Sequence, residues 1–470
     1  MSPNSTRFSR ALLGVVVAVF ALRFISLPFD VLSDPTEARY AEIGRAMAAS
    51  GDYITPMLSG APFWAKPPLS FWATAASINV FGANEFGAKL PHFLFIIASV
   101  ALVYFFARRW RGPDQAAAAA AVLATMPLVA YWAGGVMTDP ALVFSMTLAM
   151  VGFYNAINGA PKYWGYLFFA GLALGLLAKG PLILVFVGAT IFLFVLAKNK
   201  WRDLWKNVPI FSGALLMLAV AAPWYILAER ATPGFLEYFF IGEHFQRYVV
   251  PNWAGDKYGV GHGGFIGKIW LFYLLCVLPW SAYLAVKAFS KKFRASLKEI
   301  GFFRDEFLFY ALLFAAIPLV FFTFSKNILI TYAIAPLVPT ALLLAAVLPR
   351  DARKFKWFAA LAMAPLAAMT AADIFAPRMI TAVKPTEKFL VREYLARQPG
   401  GECGLYYYNA SVPYSAEFYS RGAAERIDAG SAIPACSFVV VRDRDLSAFA
   451  HGEVILKSNR KNLVRMPRGH

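Results

Sequence analysis

The chain has 470 residues, 59% of them hydrophobic and only 15% charged, with a formal charge of +18 at pH 7. That apolar share exceeds what a soluble core requires and excludes an ordinary soluble globular domain. The cations fall between alternate apolar runs, the pattern of a polytopic membrane protein, so the net charge does not point to nucleic acid.

Eleven apolar runs of spanning length are predicted: 10–28, 86–107, 114–132, 139–157, 163–179, 181–197, 208–227, 265–286, 306–324, 328–347 and 357–376. The first is longer than a signal-peptide core and has no clear small-residue cleavage site, so it is read as retained. Arg7 and Arg10 precede it. Arg108, Arg109 and Arg111 follow the second run, Lys162 the fourth, Lys198 and Lys200 the sixth, Lys291 and Arg294 the eighth, and Arg350 and Lys354 the tenth. Positive charge stays cytoplasmic, which puts 29–85, 228–264 and the tail from Pro377 on the opposite face.

The outer segment 29–85 holds two amphipathic helix patterns, at 35–49 and 67–80. Segment 228–264 has an aromatic-rich helix pattern of the kind that lies in the membrane interface, followed by Gly255, Gly259, Gly261, Gly263 and Gly264. Segment 377–470 is mixed and polar, with strand patterns at 404–408, 437–441 and 453–456 and a helix pattern at 386–397. The expected fold is therefore an all-α polytopic membrane module over 1–376, with juxtamembrane helices in its outer loops. A small C-terminal α/β extracytoplasmic domain over 377–470 follows, read as a lid or docking module. Cys276 reads as a packing residue, and the sequence leaves a Cys403–Cys436 disulfide open.

The densest charge outside the basic loops lies in the first outer segment. Asp34-Pro35-Thr36-Glu37 reads as a helix start, with Asp34 at the N-cap and Glu37 reaching back, which accounts for both acids without chemistry. It does not account for Arg39, Tyr40 and Glu42 on the same helix, or for Asp52 and Lys66 nearby. Asp139 before Pro140 is read equally as an N-cap or a substrate contact. Lys66, Lys179 and Lys326 lie near span ends, where snorkelling alone is a sufficient reason for them. Arg23, inside the first run, is read as snorkelling or paired with an acid.

Residues 37–43, Ser50-Gly51-Asp52-Tyr53, Lys66-Pro67-Pro68 and Phe81-Gly82 form an ordered series of motifs. It continues through Thr138-Asp139-Pro140, Ala178-Lys179-Gly180, Ala222-Pro223-Trp224 and Glu243-His244-Phe245-Gln246-Arg247-Tyr248. Leu278-Pro279-Trp280, Ser325-Lys326 and Thr331-Tyr332 complete it. From about 30 to 345 the series resembles the aminoarabinose-transferase branch of the GT-C membrane glycosyltransferases, polytopic enzymes similar to protein O-mannosyltransferases. The tail lies outside the resemblance.

The resemblance implies transfer of a sugar from a polyprenyl-phosphate donor to an envelope acceptor, above all lipid A. The reaction would be an inverting displacement on the periplasmic side of the bacterial inner membrane, and it implies a separate flippase that supplies the donor. Carried over by position, Glu37 and Asp139 are the catalytic acids, and Asp34, out of register with the family's acidic pair, is a third candidate. Lys66 and Arg247 hold the donor phosphate, Tyr332 lines the donor cavity, and Arg39, Tyr40, His244 and Lys326 complete the substrate contacts. No cofactor is required by the sequence, and a divalent metal is left open. His244 matches a metal-associated histidine, but Ala65 stands where the family has the partnering glutamate. Thr36 likewise replaces the first acid of the family's acidic pair, leaving Glu37 in register and Asp34 two places upstream of the missing acid. A GT-C enzyme acting on protein hydroxyls or a polysaccharide, and a lipid-linked sugar flippase or transporter, are the alternatives.

Overall fold

The computed structural model describes residues 3–259, 263–348, 352–397, 403–434, 436–458 and 460–467. Gly261 of the glycine-rich stretch and Arg350 of the tenth exit lie outside the described residues. Among those described, five helices are long and apolar enough to cross a membrane: Phe8–Ser26, Glu85–Arg111, Asp139–Ile157, Ile210–Ala231 and Glu306–Thr323. The apolar helices Tyr163–Lys179, Leu182–Lys198 and Leu337–Val347 are shorter. The third predicted run divides into Pro113–Thr125 and Pro127–Trp132, because Pro127 cannot supply the N–H that would continue the first helix. The eighth bends by 104° between Lys268–Cys276 and Trp280–Ala288, with Pro279 at the break. Hydropathy counts both as continuous runs.

The chain forms two compact units. The first comprises residues 1–25, 63–70 and 92–368. In it Asp139–Ile157 packs along Tyr163–Lys179, which also meets Ile210–Ala231. Interlocked rings fill its interior: Tyr310 packs on Tyr154 and Phe194 with centroids 5.0 Å apart in both pairs, and its hydroxyl donates to the Met150 carbonyl at 3.0 Å. Lipid tails are as apolar as leucine, so close packing and satisfied polar groups hold such a bundle together. Arg23 does not snorkel. It is 1% exposed, and its Nε donates to the Ala133 carbonyl at 3.0 Å.

The second unit comprises residues 26–62, 71–91 and 369–470. The first outer segment contributes the helix Thr36–Ser50, close to its predicted bounds, and a tiny antiparallel pair, Met57–Leu58 with Ala61–Pro62. Gly51 ends the helix at φ 74°, a left-handed conformation that glycine adopts without steric cost, and its N–H returns to the Met47 carbonyl.

The tail folds as an α/β domain around a five-stranded sheet. The strand order is Ala424–Ile427, Gly404–Tyr408, Ser437–Arg442, Lys461–Arg465, Glu453–Ser458. The first two junctions are parallel and the last two antiparallel. The parallel strands Gly404–Tyr408 and Ala424–Ile427 are joined by a crossover containing the helix Tyr414–Tyr419. Leu390, Val391 and Tyr394 of the helix Lys388–Arg397 pack with Leu405, Tyr407, Phe438 and Leu463 to form the core. Cys403 and Cys436 form a disulfide with Cα atoms 4.9 Å apart. Two strands escape sequence patterning. Ala424–Ile427 is an edge strand with two charges in four residues, and Lys461–Arg465 has only two apolar side chains.

The tail is stitched to the first outer segment at several points. The Asp34 N–H donates to the Pro385 carbonyl at 2.8 Å, and the Leu32 N–H to the Tyr419 hydroxyl at 3.1 Å. Ser59 donates to Glu417 at 2.6 Å, and Lys388 pairs with Glu85 at 2.5 Å. A freely hinged lid would not have its backbone bonded into the loop it covers.

Candidate active site

The functional candidates divide between the two units. Lys66, Asp139, His244, Arg247, Lys326 and Tyr332 belong to the first, and Asp34, Glu37, Arg39 and Tyr40 to the second.

In the first unit the centre is Glu243, on the π-helical segment Glu237–Gln246. A π-turn is wider than an α-turn and brings residues five apart into register. The Tyr238 hydroxyl accordingly donates to Glu243 Oε1 at 2.9 Å, and His244 Nδ1 lies 2.7 Å from the Phe239 carbonyl. Arg247, in the turn that follows, donates to Glu243 Oε2 at 3.0 Å, and the Lys66 ammonium stands 3.4 Å from the same oxygen. Arg247 also lies 3.3 Å from Asp256. Lys66 spends a second proton on the Ala65 carbonyl at 2.7 Å. Arg247 Nε is buried without a hydrogen-bond partner, an N–H left over for a ligand oxygen.

Burial works against the Glu243 charge, but Lys66 and Arg247 outweigh it and hold the carboxyl below the usual range. Burial pulls Lys66 below the ordinary lysine value, with Arg247 and Lys179 adding to the effect and Glu243 opposing it. An arriving anion would relieve that crowding of positive charge.

Asp139 is the first residue of the helix Asp139–Ile157 and makes no cap. Its carboxylate pairs with Lys179 at 2.6 Å, which corrects the plain N-cap reading. The Lys179 ammonium also lies 5.1 Å from the Tyr332 ring centroid, and Tyr332 stacks on Phe322. Gly180, next in the chain, has φ 81°, and a side chain there would meet the Phe239 ring at 2.7 Å and His244 Nε2 at 3.0 Å. Its absence lets the turn carry the Lys179 carbonyl to within 3.2 Å of His244 Nε2. Burial lowers the His244 pKa below the ordinary histidine value, and its contacts with the Phe239 and Lys179 carbonyls oppose that shift. Each of its nitrogens faces a backbone carbonyl, so neither is presented to a metal. Among the described residues no group of three His, Cys, Asp or Glu side chains is placed to hold one. Lys326 is half-buried and anchored by its N–H to the Tyr248 carbonyl at 3.0 Å.

In the second unit the capping box predicted at Asp34 does not form. The helix begins at Thr36, and the Asp34 carboxylate turns instead to Ser415, accepting its N–H at 3.0 Å and its hydroxyl. Glu37 does reach back, but to Ser33: Oε2 accepts the Ser33 hydroxyl at 2.9 Å. Its other oxygen pairs with Lys89 at 2.9 Å. Lys89 also lies 3.2 Å from Asp30, and Lys384 binds both Asp30 and Asp373. Arg39 lies over the Tyr414 ring at 5.2 Å with Nε buried and unpartnered, and Tyr40 packs edge-on against Phe71.

Lys89, Lys384, Asp373 and Ser415 escaped sequence reasoning. Lys89 and Asp373 carried a signal, as ionisable residues inside the apolar runs 86–107 and 357–376.

Over residues 8–239 the chain matches the dolichyl-phosphate-mannose-protein mannosyltransferase family. It is 30% identical over 345 residues to an undecaprenyl phosphate-alpha-4-amino-4-deoxy-L-arabinose arabinosyl transferase of Edwardsiella ictaluri, covering 71% of this chain and 59% of that protein. A protein of the same name from Pseudomonas aeruginosa is 30% identical over 356 residues, covering 72% of this chain and 59% of its own length. The chain thus spans about three-fifths of the curated relatives it matches. Its fold is similar to that of ArnT from Cupriavidus metallidurans bound to undecaprenyl phosphate, with TM-score 0.75, 19% identity and 97% of each chain covered. In motif order, in family match and in fold the chain is similar to these arabinosyl transferases and protein mannosyltransferases.

Proposed function

We propose that the protein transfers a sugar from a polyprenyl-phosphate donor to an envelope acceptor, lipid A first among them, by inverting displacement at the anomeric carbon. The observation that carries this reading is the Lys66–Glu243–Arg247 cluster, in which cations are held by buried acids while Arg247 Nε keeps an unused donor. The leaving group is a phosphate, already anionic, so positive charge and N–H donors stabilise its departure and no acid is needed to expel it. Lys66 and Arg247 hold that phosphate, with Lys179 and Tyr332 behind them.

Asp34 and Glu37 serve the acceptor. A hydroxyl acceptor gives its proton to one of these carboxylates, whereas a lipid A phosphate is already ionised and needs only to be oriented. The match to the protein mannosyltransferase family favours a second acceptor class, protein hydroxyls.

The active side is taken as periplasmic on the asymmetry of basic loops. The Cys403–Cys436 disulfide in the tail supports it, because such bonds persist in oxidising compartments. A donor used there must first be flipped, so a separate translocase is implied as a partner. A membrane-impermeant thiol reagent tests the side, with Cys276 replaced and the disulfide kept. Cysteines at positions 59 and 447 should label in intact spheroplasts, and one at position 296 only after lysis. The reverse pattern would put the acids in the cytoplasm.

The activity is tested by incubating the purified chain with undecaprenyl phosphate-linked 4-amino-4-deoxyarabinose and lipid A. Mass spectrometry should find the added sugar on lipid A. Product on a protein hydroxyl alone would favour the second acceptor, and no product on either would overturn the reading.

A further inference from the structure

We propose that the C-terminal domain is a fixed part of the catalytic apparatus, with Ser415 acting as the positioning residue that sets the Asp34 carboxylate. This rests on the functional reading above, in which Asp34 serves the acceptor, and adds to it a role for a domain that the motifs do not reach.

The observations lie within the second unit. Ser415 is fully buried and is the second residue of the helix Tyr414–Tyr419. Its main-chain N–H donates to Asp34 Oδ1 at 3.0 Å and its hydroxyl donates to Oδ2, so both carboxylate oxygens are fixed by one residue of the tail. The hydroxyl proton is committed to Asp34 because the Ser415 oxygen itself accepts the Glu387 N–H at 2.9 Å. The Asp34 main chain is held from the same side, its N–H on the Pro385 carbonyl at 2.8 Å. Pro385 and Ser415 therefore grip Asp34 by backbone and side chain together, and the Glu387 N–H fixes the Ser415 hydroxyl. The neighbouring first-loop residues are tied in the same way: Asp30 to Lys384, Glu85 to Lys388, and Arg39 over the Tyr414 ring.

A tail that only packed against the loop would bury apolar surface there. Two donors on one carboxylate fix both of its oxygens and hence its orientation, which apolar packing does not do. Burial raises the Asp34 pKa above the ordinary aspartate value, and the two Ser415 bonds oppose that rise. The other groups facing Asp34 are Glu387, which raises it further, Lys461, which lowers it, and Tyr407 and Glu417. Removing the Ser415 hydroxyl leaves these in place and withdraws a bond to the ionised form, so the carboxylate protonates at higher pH.

The test uses the full chain with undecaprenyl phosphate-linked 4-amino-4-deoxyarabinose and lipid A, comparing Ser415→Ala, Asp34→Asn and the double variant. Ser415→Ala should lower kcat about tenfold, the loss of one hydrogen bond to a charged group, with the donor KM unchanged. Its acid limb should move to higher pH, and it should add little to Asp34→Asn, because both act through one carboxylate. Losses that add in full, or an acid limb that does not move, would overturn the inference. If Ser415→Ala does not fold, Ser415→Thr keeps the hydroxyl and should keep the limb; a displaced limb with an intact melting temperature would also overturn it. A wild-type chain that transfers nothing sinks the functional reading itself and takes this inference with it.

Discussion

The two units handle buried charge differently. Around Glu243 the first unit sets cations and carboxylates side by side and still leaves Arg247 Nε unused, so the cluster has donor capacity in hand. In the second, Asp30, Glu37 and Asp373 meet Lys89 and Lys384 in a buried network of ion pairs. Spare donors suit a phosphate. The comparison also separates kinds of burial: the Lys89 pairs lie in the interior and hold the unit together, whereas Lys66 keeps a fifth of its side chain accessible.

That distinction is sharpest at Lys89. Lys89→Met strips the cation from both Asp30 and Glu37, and breaking a buried pair on one side costs about 3–5 kcal/mol. The melting temperature of the purified protein should collapse. A variant that melts with the wild type would mean that the network is not structural.

Glu37→Gln keeps the shape and the Ser33 contact while removing the charge that pairs with Lys89, so its rates are compared at a temperature where its melting curve shows the variant folded. Transfer should fall by about a hundredfold or more if the acceptor is a hydroxyl, the lower range of general-base contributions. Rates measured at saturating donor decide this. Full activity in Glu37→Gln, in Asp34→Asn and in the double variant would end the carboxylate hypothesis.

The smallest effect is at Glu417, which accepts from Ser59 and whose pKa burial raises from an ordinary 4.5 to about 6. Its folded form favours the proton, so its contribution to stability is complete below about 4.5 and is lost as pH rises through about 6. Glu417→Gln should flatten that part of the melting-temperature profile. An unchanged slope would show that Glu417 does not set it.

The motifs made the first unit's site legible to the extent that its geometry is local. Glu243 and Arg247 are four apart on one segment, and the quoted series already contained Lys66, Asp139 and Lys179. The π-helical register that joins Tyr238 to Glu243 was not legible, because an α-helical period fits the same residues. In the second unit the acids were visible and their partners were not. Ser415 reaches Asp34 across 381 positions and Lys384 reaches Asp30 across 354, and no periodicity or spacing rule spans such distances. The capping box at Asp34 was a sound local expectation that a long-range hydrogen bond displaced.

The division of labour between the units is tested most directly by initial rates against donor concentration for Lys66→Ala and Arg247→Ala beside Asp34→Asn and Glu37→Gln. The two cation variants should each lose about 1.5–3 kcal/mol in kcat/KM, the cost of a charge-assisted hydrogen bond, with the loss seen in KM for the polyprenyl-phosphate donor. The two carboxylate variants should lose kcat at unchanged donor KM. Near-normal donor kinetics in both Lys66→Ala and Arg247→Ala would contradict the account, because the cluster around Glu243 would then hold no phosphate.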